Sequence, residues 1–262
     1  LEVFRQLNCL AEAVGLSGPR SNLKKDMCLL DGERFELVVV GEFSRGKSTF
    51  VNAMLGRRIL PTNSKPTTAI ISKIVYGETP KFVLHYKNGD SKEIDEDKFI
   101  KLVAPKETDE TKSEKFKKFL HFQESLDKID YAEVQYPLTF CRDNVEVVDT
   151  PGTNDLNAGR IEITYKYLNQ ADAVIMLLAA DQALTASEEE FLKARIMGNQ
   201  IRDIFFVVNG RDKLGGSSIE EERVMNFVRE NLQELEGLSG NLRLYLLSSR
   251  QALLFRRSAA GE

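Results

Sequence analysis

The sequence predicts an α/β domain whose mostly parallel central sheet is flanked by helices. Two observations lead to this fold class. Short apolar runs alternate with helical patterns along most of the chain, as in repeated strand–helix–strand units. The runs are almost continuously apolar, as strands buried on both faces are. A chain of 262 residues with 42% hydrophobic content can bury the core that such a sheet requires.

The predicted elements follow one another in a simple order. The run at residues 35–40 is a buried strand, and a glycine-rich loop and a helix over residues 47–55 come after it. Strands at 69–76 and 81–86 follow, and the second ends in Lys87-Asn-Gly-Asp90, a hairpin-type turn. Later strands are predicted at residues 132–136, 145–148, 173–178, 203–208 and 242–247, and helices at 160–169, 187–197 and 219–235.

Further segments complete the predicted domain organisation. Residues 1–30 are helical in pattern, and the main domain covers residues 31–255. A polar, charged insertion at about 91–129 is expected to be helical in its second half. Residues 256–262 are interpreted as the start of a C-terminal helix or a tail. The chain begins without Met and stops soon after a helical pattern, which indicates a domain excised from a longer protein.

The composition argues against several classes of function. A net charge of −4 and a pI of about 5.5 give no global basic field, so no nucleic-acid partner is expected. Lysines between residues 101 and 128 are interleaved with acidic residues, which favours a solvated helix face over a membrane or RNA patch. Cys9, Cys28 and Cys141 lack metal-like spacing and indicate inert thiols in a reducing compartment. No apolar run approaches the roughly 18 residues of a membrane span, and we expect a cytoplasmic location.

The loop Gly41–Ser48 fits the pattern G-x-x-x-x-G-K-[ST] and lies between a predicted strand and a predicted helix. Its glycines let the backbone wrap around phosphates, whose charge the loop N–H groups and the helix N-terminus stabilise. In such a loop Lys47 contacts the β- and γ-phosphates and the Ser48 hydroxyl binds Mg²⁺. The predicted phosphate-binding residues are Gly41, Phe43, Ser44, Arg45, Gly46, Lys47, Ser48 and Thr49. The motif predicts a nucleoside triphosphate site but does not identify the base.

Asp149-Thr-Pro-Gly152 directly follows an apolar strand downstream of this loop. An aspartate at the carboxyl end of a parallel strand can hold the water shell of Mg²⁺. The N–H of Gly152 can reach the γ-phosphate. We therefore predict that Asp149 acts on the metal through water and that Gly152 binds the nucleotide.

Asn209-Gly-Arg-Asp212 follows the strand at 203–208 and predicts the base. A carboxylate there accepts hydrogen bonds from the guanine N1–H and 2-amino groups, whereas adenine would leave it unpaired. Gly210 occupies the position of the usual lysine, and an ordinary turn is the alternative interpretation. The predicted nucleotide-binding residues here are Asn209, Arg211 and Asp212, joined by Ser248 and Ser249 after the last strand.

The polar segment 60–68 contains the threonine that we expect to bind Mg²⁺ and to sense the γ-phosphate. Thr68 is the first choice and Thr67 the second. An ordinary surface loop is the alternative.

Taken together, these motifs resemble a known family. The run Gly41-Glu-Phe-Ser-Arg-Gly-Lys-Ser-Thr-Phe50, the segment Leu60-Pro…Pro-Thr-Thr-Ala69 and the base motif look like those of bacterial dynamin-like proteins, which are related to mitofusins. So does Tyr136-Pro-Leu followed by Asp-Thr-Pro-Gly-x-Asn-Asp. The resemblance covers roughly residues 35–255.

The resemblance implies a Mg²⁺-dependent GTPase whose hydrolysis drives membrane fusion or fission. It also implies a nucleotide-dependent homodimer across the GTPase face, or a partner of the same family. Residues 1–30 would be a helical neck segment, and regions outside this chain would contact lipid at the inner face of a membrane.

Within the resemblance, two positions depart from related GTPases. Phe43 and Thr153 stand where dynamins and Ras-like GTPases respectively carry a water-orienting glutamine. By resemblance, Ser44 would help to hold a monovalent cation, K⁺ or Na⁺, and with the backbone near Thr68 would position the water. Arg45 is interpreted either as an arginine finger in cis or as an ion-pair partner across a dimer. The predicted catalytic residues are thus Lys47, Ser44, Thr68 and Arg45.

Two classes of function remain open at this point. One is a membrane-remodelling GTPase; the other is a recruitment GTPase of ribosome-assembly or signalling type with slow hydrolysis. The gap of about a hundred residues between the phosphate loop and Asp149 exceeds what a minimal Ras-like domain needs and favours the first.

Overall fold

The computed structural model describes residues 34–62, 70–103, 128–152, 164–199, 201, 203–235, 238 and 242–259. The predicted helices of residues 1–30, the candidates Thr67 and Thr68, Thr153 and most of the second half of the insertion lie outside these ranges. None of the helices within the described ranges is long and apolar enough to cross a membrane.

Within the described ranges, the central feature is a nine-stranded sheet with the order β4-β3-β5-β2-β6-β1-β7-β8-β9. Strands β6, β1, β7, β8 and β9 pair in parallel, as do β2 and β5, whereas β2 runs antiparallel to β6, and β3 runs antiparallel to β4 and β5. The prediction of a mostly parallel sheet is confirmed. The strands are β1 (Phe35–Val40), β2 (Ser72–Tyr76), β3 (Lys81–Tyr86), β4 (Ser91–Ile94), β5 (Ile129–Tyr136), β6 (Val145–Asp149), β7 (Ala173–Ala179), β8 (Asp203–Asn209) and β9 (Arg243–Leu247).

The helices agree with the sequence pattern over most of their length. The described helices are α1 (Lys47–Leu55), α2 (Glu96–Val103), α3 (Ala186–Phe191), α4 (Ser218–Gln233) and α5 (Ser249–Ala259). Residues 164–168, within the predicted helix 160–169, are also helical. The helix predicted at 187–197 is α3 continued by a π-helical turn, Leu192–Ile196. Helix α5 runs across residue 255, where the main domain was predicted to end.

The start of the insertion is more regular than its charge pattern indicates. Lys87-Asn-Gly-Asp90 makes the predicted turn, with Gly89 at a φ of 90°, and joins β3 to β4. Strand β4 has mostly exposed side chains, and α2 buries Phe99 and Val103 against the sheet. Strand β5 begins at Ile129, the last residue that the sequence assigned to the insertion, three residues before the strand start predicted at 132.

The core lies on both faces of the sheet, as the continuous apolar strands require. In β1 the side chains of Leu37 and Val39 pack with α1, while Val38 and Val40 pack with α3 and α4 on the other face. Both faces of β1 are therefore buried. Because β1, β6, β8 and β9 are mutually parallel, the loops after their carboxyl ends meet at one edge of the sheet.

Candidate functional site

The loop between β1 and α1 approaches two neighbouring strands so closely that it requires glycine. Gly41 has a φ of 151°, and a Cβ there would lie 2.6 Å from the carbonyl oxygen of Leu177 in β7. Gly46 has a φ of 88°, and a Cβ there would lie 2.4 Å from Nδ2 of Asn209 at the end of β8. Both glycines of the phosphate-loop pattern are therefore required by the backbone conformation and by close packing.

Lys47 begins α1 and lies buried inside the loop that precedes it. Its Nζ donates to the carbonyl oxygens of Gly41 at 2.8 Å and of Glu42 at 3.0 Å. The ammonium group is thus held at the centre of the loop. Ser44, at the apex, is exposed and has a φ of 61°, and Phe43 and Thr49 are partly buried.

Ser48 and Asp149 meet at the carboxyl end of β6, where Ser48 Oγ donates to Asp149 Oδ2 at 3.0 Å. Asp149 is fully buried, and burial raises the pKa of its carboxyl group to about 6, against the lowering effects of Lys47 and Ser48. Its Oδ1 has no hydrogen-bond partner within the described ranges. Ser72 lies opposite Asp149 in the β2–β6 pair, and its buried hydroxyl likewise has no partner there.

These oxygen atoms fit a hard divalent cation such as Mg²⁺. Mg²⁺ takes carboxylate, hydroxyl and water oxygens, and a buried carboxylate oxygen without a partner is stabilised by a nearby positive charge. The structure thus brings together Ser48 and Asp149, two of the three predicted metal-binding residues, while the third, Thr68, lies outside the described residues.

The segment after Asp149 lies directly against the phosphate loop. Thr150 is buried, and its hydroxyl donates to the carbonyl oxygen of Val39 at 2.8 Å. A Cβ on Gly152 would lie 3.1 Å from the backbone nitrogen of Phe43. Gly152 therefore lies in contact with the backbone of the predicted phosphate loop.

Four of the five predicted base-binding residues form two hydrogen-bonded pairs at the ends of β8 and β9, Asn209 with Ser249 and Asp212 with Ser248. Asn209 Nδ2 donates to the carbonyl oxygen of Arg45 at 2.9 Å, and its Oδ1 accepts from the backbone nitrogen of Ser249 at 2.9 Å. Asp212 Oδ1 accepts from Ser248 Oγ at 2.5 Å. The amide and the carboxylate are thereby oriented beside the phosphate loop.

Arg211 departs from this group because its side chain turns toward α4. Its Nε donates to Glu221 Oε1 at 2.7 Å, and its side chain is 55% exposed. The residue belongs to the motif by sequence, but within the described contacts its guanidinium is bound to a helix.

Arg45 has two carboxylate partners, one of which the sequence did not indicate as functional. Its Nη2 donates to Glu42 Oε2 and its Nε to Glu188 Oε1, each at 2.7 Å. Glu188 lies in the first turn of α3 and forms a capping box with Thr185. The pattern Thr-x-x-Glu marks a helix start, so the sequence contained a signal for the cap but none for the ion pair.

Helix α5 connects the base motif to helix α1, the helix that begins at the phosphate loop. Its first residue, Ser249, is bound to Asn209, and farther along it packs on α1. Arg256 donates through Nη1 to the carbonyl oxygens of Ala53 at 3.2 Å and Met54 at 2.7 Å. These are carbonyls of the last turn of α1, where a cation is favourable.

With this geometry established, comparison with known proteins gives one consistent result. A sequence model of the Dynamin family matches residues 37–211. A bacterial dynamin-like protein of Nostoc punctiforme is 33% identical over 236 residues, which cover 84% of this chain and 33% of that protein. A probable transmembrane GTPase of Arabidopsis thaliana, FZO-like and chloroplastic, is 30% identical over 87% of this chain and 20% of that protein.

A solved structure of an oligomerised bacterial dynamin pair has the same fold. The TM-score is 0.68 at 22% sequence identity, and the match covers 98% of this chain and 39% of that chain. In all three comparisons the chain spans less than half of the length of the protein that it matches.

Proposed function

Because this chain is a GTPase domain of the dynamin family, we propose that it binds GTP with Mg²⁺ and hydrolyses it to GDP and phosphate. The observation that carries the proposal is the meeting of three motifs at one sheet edge. The buried Lys47, the Ser48–Asp149 pair and the Asn209–Asp212 group lie at the carboxyl ends of β1, β6 and β8 there. The first group is suited to bind a phosphate chain, the second a metal ion and the third a guanine base.

The reaction is in-line attack of water on the γ-phosphate. Lys47 and the N–H groups of the loop stabilise the negative charge that develops on the phosphate oxygens. Ser48 and Thr68 would bind Mg²⁺ directly and Asp149 would bind it through water; when bound there, Mg²⁺ would supply further positive charge to the phosphates. Phe43 and Thr153 cannot orient the water through a glutamine amide, so this role falls to Ser44 and the backbone near Thr68. Ser44 would also hold a monovalent cation, K⁺ or Na⁺.

Selection of guanine is assigned to Asp212. Ser248 donates a hydrogen bond to one oxygen of the Asp212 carboxylate, which fixes the plane of that group. Asp212 then accepts from the N1–H and the 2-amino group of guanine. Adenine offers no matching pair of donors, so the half-buried Asp212 carboxylate would lose hydrogen bonds on binding it.

We further propose that hydrolysis is coupled to dimerisation and to membrane remodelling. The solved relative is described as an oligomerised pair for long-range sensing and tethering of membranes, and that description supports the proposal. The dimer would form across the nucleotide face, from two copies or with a related partner. Parts of the protein outside these residues would contact lipid at the cytoplasmic, inner face of a membrane.

Turnover of GTP and ATP with Mg²⁺, with and without K⁺, tests the enzymatic part. We expect GTP hydrolysis that Lys47→Ala abolishes, since this change removes the buried ammonium group. Equal competition by ATP would contradict the base assignment, and full activity of Lys47→Ala would contradict the whole scheme.

Light scattering with GDP, GTP and a transition-state mimic tests the coupling. We expect dimers with the mimic and monomers with GDP. Monomers in every state, together with slow hydrolysis, would instead favour the recruitment class of GTPase.

A further inference from the structure

Arg45 lies in the phosphate loop, but its guanidinium group points into a nearly closed ionic cluster within the same chain. The side chains of Arg45, Glu42 and Glu188 are 10%, 11% and 1% exposed. Nη2 and Nε bind a different carboxylate each, both at 2.7 Å. Two carboxylates therefore share one cation in a region almost without solvent.

Both carboxylates are held in place by further hydrogen bonds from the start of α3. Glu188 Oε2 accepts from the backbone nitrogen of Thr185 at 2.8 Å, and Glu42 Oε1 accepts from Ser187 Oγ at 2.5 Å. Since the second oxygen of each carboxylate is bound to this helix start, neither group is free to follow Arg45 if the guanidinium moves. The cluster thus joins the phosphate loop to α3 rigidly.

The main chain of Arg45 is fixed from the other side. Asn209, at the end of β8, donates to its carbonyl oxygen. Arg45 is consequently fixed between two elements that are remote in sequence, with its backbone on β8 and its side chain on α3. A residue held in this way sets the path of the loop between Glu42 and Gly46.

An arginine finger would have to leave this cluster to reach a γ-phosphate. Removal of the cation would leave two buried carboxylates, Glu42 and Glu188, without their counter-charge, which is strongly unfavourable. Burial already raises the pKa of Glu188 against the effect of Arg45. The cluster therefore favours the retention of Arg45 in its present position.

We propose that Arg45 is a positioning residue, and that Glu42 and Glu188 act with it to lock the phosphate loop in its nucleotide-binding conformation. The inference rests on the proposed GTP site and adds residues to it. The cluster fixes the loop that holds the phosphates, and it does not contact the transferred group. Its loss should therefore weaken nucleotide retention more than it slows the chemical step.

The first test compares Arg45→Ala, Glu188→Gln and their double variant with the parent. We expect the dissociation rate of a fluorescent GDP analogue and the KM for GTP to rise about tenfold in each single variant, with kcat lowered no more than about threefold. The double variant should be no worse than the worse single one, because both changes break the same cluster. Arg45→Lys should recover part of the loss. Glu190→Gln, an exposed glutamate of the same helix, is the matched control.

A fall in kcat of a hundredfold or more in Arg45→Ala, with GDP dissociation unchanged, would overturn the inference and make Arg45 a catalytic finger. Unchanged dissociation and turnover in Glu188→Gln would also overturn it.

A second measurement needs no nucleotide and separates this inference from the proposed function. Hydrogen exchange of residues 41–48 in the nucleotide-free protein should be faster in Glu188→Gln than in the parent, and unchanged in Glu190→Gln. If the parent fails to bind GTP, the proposed function is wrong, but hydrogen exchange still tests whether the cluster fixes the phosphate loop. Equal exchange rates in the parent, Glu188→Gln and Glu190→Gln would contradict that positioning role.

Discussion

Asn209 and Gly46 fit together with no room for one more carbon atom, because a Cβ on Gly46 would lie 2.4 Å from Asn209 Nδ2. The contact joins the end of β8, which carries the base motif, to the last turn of the phosphate loop. The two halves of the nucleotide site are therefore one packed unit, and a change at either residue acts on both.

Gly46→Ala should disrupt this unit. The new methyl group would collide with the Asn209 amide. The alanine backbone would also have to adopt a φ of 88°, which is unfavourable for a residue with a Cβ atom. We expect the free energy of unfolding to fall by about 2 kcal/mol and GDP affinity to fall sharply, as measured by denaturation and by fluorescence titration. Gly198→Ala is the control, since its Cβ would meet nothing nearer than 3.7 Å. Parent-like GDP affinity in Gly46→Ala would contradict the packing.

The raised pKa of Asp149 predicts a pH dependence of stability in the nucleotide-free protein. The carboxyl pKa is about 6 in the folded state, above its ordinary value of 3.8. Between these values the folded state binds more protons than the unfolded state, so the free energy of unfolding falls as pH rises from about 4 to 6. The full difference is roughly 3 kcal/mol. Denaturant unfolding between pH 4 and pH 8 measures it.

Asp149→Asn should remove that pH-dependent step and raise the melting temperature of the nucleotide-free protein near neutral pH. Its Mg²⁺-dependent GTP binding should be much weaker, because the amide supplies no negative charge. In the parent, Mg²⁺ affinity should decline below pH 6 as the carboxylate is protonated. A variant that is less stable than the parent at pH 7.5 would show that burial of the Asp149 carboxylate does not destabilise the folded protein.

Asp212→Asn should shift nucleotide preference from GTP toward XTP. Xanthine presents a carbonyl where guanine has its 2-amino group, and the asparagine amide can donate to it. Competition binding of GTP, XTP and ATP measures the shift. Ser248→Ala should leave the order of preference intact and lower GTP affinity about fivefold, because it removes one hydrogen bond that orients Asp212. An Asp212→Asn protein that still prefers GTP would remove Asp212 from base recognition.

Arg256→Met should destabilise the protein through the end of α1. The substitution keeps an unbranched apolar stem but removes the guanidinium that binds the carbonyl oxygens of Ala53 and Met54. We expect a loss of about 1–2 kcal/mol in denaturant unfolding. Arg223→Met is the control, because that side chain on α4 is 79% exposed. Equal stability of the two variants would show that the cap contributes little.

The sequence predicted those parts of the site that depend on position along a strand. Asp149, Asn209 and Ser248 each follow an apolar run, and parallel strands bring such positions to one edge without further information. The runs themselves predicted the buried strands. The antiparallel direction of β2 was not predicted, because an apolar run has no direction.

Other features depend on approaches between distant parts of the chain. Glu188 lies 143 residues from Arg45 in sequence, and its pattern is that of an ordinary helix cap. The polar run Ser91–Ile94 becomes strand β4 because its backbone pairs with β3, although its side chains are mostly exposed. In both cases contacts with distant parts of the chain determine the structure, and the local sequence alone does not specify those contacts.

Helix α5 is hydrogen-bonded to the rest of the domain near both of its ends. Asn209 binds its first residue, and its own Arg256 binds carbonyl oxygens at the end of α1. The first contact lies at the base motif, and the second lies at the last turn of α1, the helix that starts at Lys47. A tilt of α5 that breaks the contact at one end would strain the contact at the other. Helix α5 therefore ties the end of β8 to the far end of α1, so a displacement of either end of α5 would be felt at the other.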